Sequence, residues 1–402
     1  MMPRGKDMAK IGDERHPKPR TDKKVLFLPF DGGAVGGVAR VVSDLGHEFQ
    51  ARGWLVRIAL PHTHADLARW YRAEGVIAEA HPAVSGISGR RGFHEMRALT
   101  RFIQESKSDV VNLHCGGSNI PIKEVVAIRL AGRHRCVVTI HEPEYAGTAR
   151  RKRWLTRIAG RLVDTIVCGT SAARMSALAS GAQASKTVVI PYGVGSPINP
   201  PTRAEARARL SLPAEAFVIG SVARLMPYKG IADLITACSR LDDPKRSLQI
   251  IIAGTGPERQ ALENLATSRL SNCVSFLGRV SDPADLYAAS DVFVLPSHWE
   301  GFGLVYIEAA FHGVPSIGAR VGGVPEAIVD GETGLLVPVG DIGALATAIQ
   351  RLRDDTILRV RLGEAARVRA RTEFTSTRMA TLYMQVFESL IAPQLSVIGA
   401  ER

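Results

Sequence analysis

Residues 297–308 read SHWEGFGLVYIE and directly follow DVFVLP at 291–296. An unbroken apolar run closed by proline reads as a strand buried on both faces of a parallel sheet. The continuation, LVYIEAAFHG at 304–313, reads as a helix ended by Gly313. Gly301 and Gly303 occupy the turn between them and leave backbone N–H groups bare at the helix N-terminus. Partial positive charge and unpaired donors at that terminus suit a phosphate. Two carboxylates flank the turn, Glu300 in the loop and Glu308 inside the helix. Strand, glycine turn and helix in this order make an α/β chain whose ligand sits at the carboxyl edge of a parallel sheet.

A phosphate seat between two acids fits a molecule that joins phosphate to hydroxyl-bearing groups, as a nucleotide sugar does. The stretch resembles the glutamate–seven residues–glutamate motif of the retaining glycosyltransferases of family 4. That resemblance implies the GT-B fold: two Rossmann-like parallel-sheet domains facing each other across a cleft, with a C-terminal helix crossing back to the first domain. The 402 residues suit two domains of roughly 200 each. The expected division is a loose tail at 1–23, a first, acceptor-binding domain at 24–194, and a Pro-rich linker, GSPINPPT, at 195–202. A second, donor-binding domain follows at 203–374, and the returning helix at 375–391.

Read outward from the opening stretch, the second half carries further motifs. A strand at 217–223 leads into RLMPYKG, placing Arg224 and Lys229 at a crevice edge. Arg offers a bidentate fork to a diphosphate and Lys a mobile point charge; the pair resembles the family's RL-x-x-x-KG motif. A strand at 249–253 leads to GTGPE with Gly254, and one at 274–277 leads to Arg279 and Val280, where the resemblance implies backbone contact with a nucleobase. By the same resemblance Gly301, Phe302, Gly303 and Leu304 border the donor and Glu308 holds its ribose. Glu300 lies by the sugar as a catalytic residue, and Gly322, Gly323 and Glu326 share the crevice edge.

In the first half, strand 25–30, glycines and helix 38–52 form a βαβ start. Gly32, Gly33, Gly36 and Gly37 do not space as G-x-G-x-x-G, and the next strand ends in Leu60-Pro61-His62 without a ribose-binding acid, which disfavours a dinucleotide dehydrogenase. Gly36 and Gly37 resemble the family's loop over the donor phosphates. His114, closing the strand at 109–114, stands where the resemblance implies a catalytic histidine, with His141 of HEPEY as its rival. The family's aspartate after PxGV is replaced here by Gly-Ser-Pro at 195–197.

Composition bounds the remainder. The net charge is +12, and residues 1–200 carry all of the excess. This is motive for an anionic membrane surface as a partner, although an arginine-rich exterior alone gives the same count. The basic helix expected at 148–164 carries Trp154, Leu155, Ile158 and Leu162 on one face, and packing of that face on its own sheet is the favoured reading. Aromatic platforms among the arginines are too few for nucleic acid. The five scattered cysteines suit a reducing cytosol rather than a disulfide framework. Apolar runs are too short to span a membrane, and the polar start lacks a signal-peptide core; the expected location is cytoplasmic, with peripheral attachment to the inner face of the cell membrane. No Asp-x-Asp pair stands out at a strand end, and the resemblance implies transfer without a metal or other cofactor. A nucleotide-sugar epimerase of the same fold is the alternative enzyme, distinguished by donor consumption without an acceptor.

Overall fold

The computed structural model describes residues 22–30, 35–84, 93–117, 120–143, 153–241, 247–270 and 273–392. Nearly all of the expected tail, the basic loop at 86–92 and residues 148–152 lie outside them.

Among the described residues, the first sheet contains β1 (Lys24–Phe30), β2 (Leu55–Pro61), β3 (Ala78–His81), β4 (Val110–Cys115), β5 (Arg135–Ile140), β6 (Thr165–Cys168) and β7 (Thr187–Val189). Their order is β3-β2-β1-β4-β5-β6-β7, and neighbouring strands pair in parallel. The second sheet contains β8 (Phe217–Val222), β9 (Leu248–Ala253), β10 (Val274–Gly278), β11 (Val292–Leu295), β12 (Ser316–Ala319) and β13 (Gly334–Val337). Its order, β10-β9-β8-β11-β12-β13, repeats the same winding, again parallel throughout. This is the expected pair of Rossmann-like domains.

Strands covered by helices on both faces must be apolar along their whole length. β1, β4 and β11 obey this, since every residue of β4 and β11 is buried and only Lys24 of β1 is not. In each sheet the strand order reverses beside the first strand of the domain, between β1 and β4 and between β8 and β11. Connections leave in opposite directions there, so a crevice opens at the carboxyl ends.

The first helix, Gly37–Ala51, buries Ala39, Val41, Val42, Leu45 and Phe49 against the first sheet. Its polar stripe, Arg40, Asp44 and Glu48, recurs at helical spacing on another face and looks toward the second domain and the last helix. That last helix, Ser376–Ile391, returns to the first domain as expected. Phe387 packs on Phe49 and Trp54 at centroid distances of 5.6 and 6.2 Å. Ser376 and Thr377 hydroxyls donate to Glu48 at 2.9 and 2.8 Å. The linker is anchored where Val194 N–H donates to Phe374 and Ser376 N–H donates back to Val194, each at 2.9 Å.

One helix departs from expectation. In Arg153–Leu162 Thr156 and Ala159 are buried and Leu155 and Leu162 half-buried, Leu162 packing on the core as expected, while Trp154 and Ile158 are 62% and 40% exposed. Small residues allow this helix to lie close to its neighbours, so the bulky apolar pair is turned to solvent. The five cysteines are free, four of them buried.

Candidate active site

The carboxyl ends of β8 and β11 bring the two main motifs of the second half together. The Arg224 guanidinium is exposed and donates to the Tyr228 hydroxyl at 2.8 Å. The Lys229 ammonium is bonded to the Glu300 carboxylate at 2.8 Å, with the two side chains only 14% and 12% exposed. A close pair this secluded interacts far more strongly than a surface pair. Glu300 therefore already holds the cation expected to meet a diphosphate.

The following turn shows why glycine is needed twice. Gly303 sits at φ +84°, in the left-handed region, as the N-cap of helix Leu304–Phe311. A Cβ on Gly301 would lie 2.9 Å from Glu142 Cγ and 3.1 Å from the His141 carbonyl oxygen of the first domain. Gly301 is thus the place where the two domains touch backbone to backbone. Phe302 is buried and packs edge-on against Tyr192 and tilted against Phe374, at 5.4 and 5.6 Å, so its ring seals the domain contact.

The other expected residues surround the same crevice. Gly36 caps the first helix, and Leu304 Cδ1 lies 3.7 Å from where a Cβ on Gly37 would stand. Gly254 N–H donates to Gly278 at 2.7 Å, tying the ends of β9 and β10 together. Arg279 and Val280 follow β10 and are exposed. Next to them, Arg40 of the first domain donates to the Ser281 carbonyl at 3.2 Å. Glu308 accepts from the Tyr287 hydroxyl at 2.5 Å; burial raises its pKa, and Tyr287 and Arg40 oppose that rise.

Two expectations change in detail. Glu326 stands at the crevice edge and reaches across to the first domain. Its carboxylate accepts from Ser171 N–H and Ala172 N–H, the first amides of helix Ser171–Ala179, and so clamps the domains together. His114 is fully buried beneath His141 rather than facing the cleft. Its Nδ1 lies 3.0 Å from His141 Nε2, and its Nε2 lies 3.1 Å from Asn112 Nδ2. Burial holds both rings neutral, pushing His141 down to about 3 and His114 well below the usual histidine range.

One proton arrangement satisfies the whole chain. Thr139 hydroxyl donates to Asn112 Oδ1, Asn112 amide to His114, His114 Nδ1–H to His141, and His141 Nδ1–H to Tyr192. Tyr192 hydroxyl then donates to the His141 carbonyl at 3.2 Å. At the far end Tyr383, on the returning helix, donates to Thr139 at 3.4 Å. With both ring nitrogens engaged, His141 offers the cleft its backbone and fixes the next residue.

That residue is Glu142, which sequence reasoning missed. Its N–H donates to Gly116 at 2.7 Å. Burial raises its pKa, the nearby Glu300 adds to the rise, and Lys229 and Arg224 oppose it. Asp44 was also missed. It lines a cavity of about 280 Å³ with Arg40, Asp282, Tyr287, Glu308 and the linker residues Pro197–Pro201. Glu142 could have been noted as the acid in HEPEY. Asp44 reads as part of an ordinary solvated helix face. The site thus has a cationic end at Arg224 and Lys229, a carboxylate pair beside it, and a second carboxylate group around Glu308.

Residues 202–369 match the family described as Glycosyl transferases group 1, and residues 35–195 match Glycosyltransferase Family 4. The chain is 37% identical over 203 residues to a D-inositol 3-phosphate glycosyltransferase of Corynebacterium efficiens, covering 47% of this chain and 48% of that protein. It is 34% identical over 255 residues to the lipopolysaccharide core biosynthesis glycosyltransferase LpsE of Rhizobium meliloti, covering 61% and 72% respectively. The chain thus spans about half the length of the corynebacterial relative it matches. In fold it is similar to Alr3699/HepE of Anabaena, whose crystal structure is in complex with UDP and glucose. The TM-score is 0.76 at 22% identity, over 91% of this chain and 100% of the other.

Proposed function

The chain belongs to the glycosyltransferases of group 1 and family 4, and on that premise we propose that it transfers a sugar from a UDP- or GDP-linked donor to a hydroxyl of a glycan or lipid-linked acceptor. The proposed transfer retains anomeric configuration and proceeds without a metal ion, in polysaccharide or glycolipid synthesis. The observation that carries this reading is the meeting of Arg224, Lys229, Glu300 and the Gly301–Gly303 turn at the β8/β11 switch point, with Glu308 one helix turn beyond. The Anabaena neighbour with UDP and glucose supports the donor class, and the lipopolysaccharide-core relative supports the acceptor class.

In this reading the donor diphosphate takes Arg224, Lys229 and the amides of the Gly301–Gly303 turn, which stabilise the charge that develops on the leaving group. Lys229 then turns from Glu300 toward phosphate and frees Glu300 for sugar hydroxyls. Glu308 accepts from the ribose. His114 acts through His141, whose backbone and neighbour Glu142 border the reacting carbon from the first domain. Protein cations do here what a metal does in other transferases, and the departing phosphate oxygen can receive the acceptor proton.

Peripheral attachment to an anionic membrane belongs to the same proposal. Exposed Trp154 and Ile158 lie one turn apart and are flanked by exposed Arg157 and Arg161, the combination that binds an anionic interface. No described helix is long and apolar enough to cross a membrane.

The test is a thermal-shift and calorimetric screen against UDP, GDP, ADP and their sugars. Stabilisation by one diphosphate, lost in Lys229→Ala, is the expected result. No stabilisation by any of them overturns the donor assignment. Pelleting with phosphatidylglycerol vesicles, reduced in Trp154→Ala, is expected for the membrane contact; absence of pelleting overturns it.

A further inference from the structure

We infer that Asp44, on the first domain, is a second ribose-binding residue that closes on the donor from the side opposite Glu308, so that the two ribose hydroxyls are held one by each domain. This rests on the reading that the second domain binds a nucleotide. The geometry behind it is the cavity of about 280 Å³ between the domains. Glu308, Asp282 and Tyr287 enter it from the second domain, Arg40 and Asp44 from the first, and Pro197–Pro201 forms its floor. Its place is set by the first helix, whose polar stripe tracks the second domain: Gly37 faces Leu304, Arg40 bonds to Ser281, and Asp44 lies near enough to Glu308 for their charges to interact.

The chemistry of the lining selects the occupant. Three carboxylates, Asp44, Asp282 and Glu308, face one guanidinium, Arg40, so the cavity rejects a further anion. Phosphates find their cations at Arg224 and Lys229 instead. What the cavity can take is a neutral group rich in hydroxyl donors, and a ribose diol supplies two. Arg40 donates to the Ser281 carbonyl at 3.2 Å and acts on Asp44 and Glu308 through its charge, one cation against three acids. Asp44 accordingly keeps acceptor oxygens for a ligand, and burial raises its pKa.

The experiment is calorimetric titration of the full chain with UDP, GDP and ADP, then with the 2′-deoxy and 3′-deoxy forms of whichever binds. Wild type is expected to bind the ribonucleotide about tenfold or more tightly than either deoxy form, the effect of one hydrogen bond to a charged acceptor. Asp44→Ala is expected to weaken ribonucleotide binding by about the same factor, yet to leave one deoxy form unaffected because its missing hydroxyl is the one Asp44 holds. Asp44→Asn keeps one acceptor oxygen and should fall between, and its melting curve checks the fold. Equal loss for all three ligands makes Asp44 a domain-closing contact and overturns the inference, as does no loss at all. Failure of wild type to bind any of the three diphosphates overturns the nucleotide reading itself, a different result from binding without dependence on the hydroxyls.

Discussion

The two walls of the cleft are built on opposite principles. The first domain presents His114, His141 and Tyr192, neutral, buried and bonded to one another in a single direction. The second presents Arg224, Lys229, Glu300 and Glu308, ionisable groups with exchangeable partners. This pre-satisfied histidine–tyrosine layer has nothing to gain from a polar ligand and acts by shape, which leaves polar contacts on the first-domain side to Arg40, Asp44 and Glu142. A wall of exchangeable ion pairs gives up one partner for another and acts by affinity. Among the described residues of the first half, Arg157 and Arg161 are exposed, whereas Arg40 lines the cavity between the domains.

The sharpest way to break this comparison is Glu308→Gln. If the charged wall binds the donor, transfer should fall about 100-fold or more while the melting temperature holds, because one acceptor oxygen and the Tyr287 contact remain. Initial rates with the donor found by screening check it.

Lys229→Ala should weaken nucleoside-diphosphate affinity about tenfold or more, since a charge-assisted contact is removed and Glu300 is left unpaired beside the phosphate. Calorimetry reads the change. Unaltered affinity would place the diphosphate elsewhere.

Asp44 sits on the seam and adds a pH signature. Burial pushes its pKa up to about 7 from 3.8, with Arg40 opposing and Glu308, Glu48 and Glu74 adding; Asp282 and His312 face the same cavity. The folded protein then holds a proton that the unfolded chain releases near pH 4. The stability contributed by that proton is fully present below pH 4 and is lost as pH rises through 7. Asp44→Asn should therefore flatten the pH dependence over that window, by on the order of 4 kcal/mol. Denaturation midpoints of the two proteins between pH 4 and 8 measure the difference.

Tyr192→Phe tests the neutral wall. Removing the hydroxyl leaves His141 Nδ1–H without its acceptor and should cost about 1–2 kcal/mol of stability. Nucleotide affinity should not change. A large loss of affinity with unchanged stability would mean that the neutral wall binds the donor directly.

Much of the charged wall could be read from residues alone because its parts are local in the chain. Arg224 and Lys229 share one turn, and Glu300 to Glu308 share another, so spacing carries the chemistry. The first wall could not be read in this way. His114 and His141 both close parallel strands, and β-strand periodicity says only that each can face the crevice. Which of them lies beneath the other depends on the pairing of β4 with β5, where His114 stands opposite Thr139 and Cys115 opposite Ile140. Trp154 and Ile158 failed for a related reason. An amphipathic pattern shows which residues share a face, but neighbours decide which face is covered.

By itself, the sequence determined the class of fold with its two Rossmann-like domains, the strands that end at the crevice, and the turns that bring Arg224, Lys229 and Glu300 to its edge. These follow from apolar runs, glycine turns and charge at short spacing, all interactions within a βα unit. Only the tertiary structure decided that Lys229 is paired with Glu300, that Glu326 clamps a helix of the other domain, that His114 lies behind His141, and that Asp44 shares a cavity with Glu308. Each of these joins residues that are distant in the chain. Their distances are set by how two sheets and a returning helix pack, which no local pattern encodes.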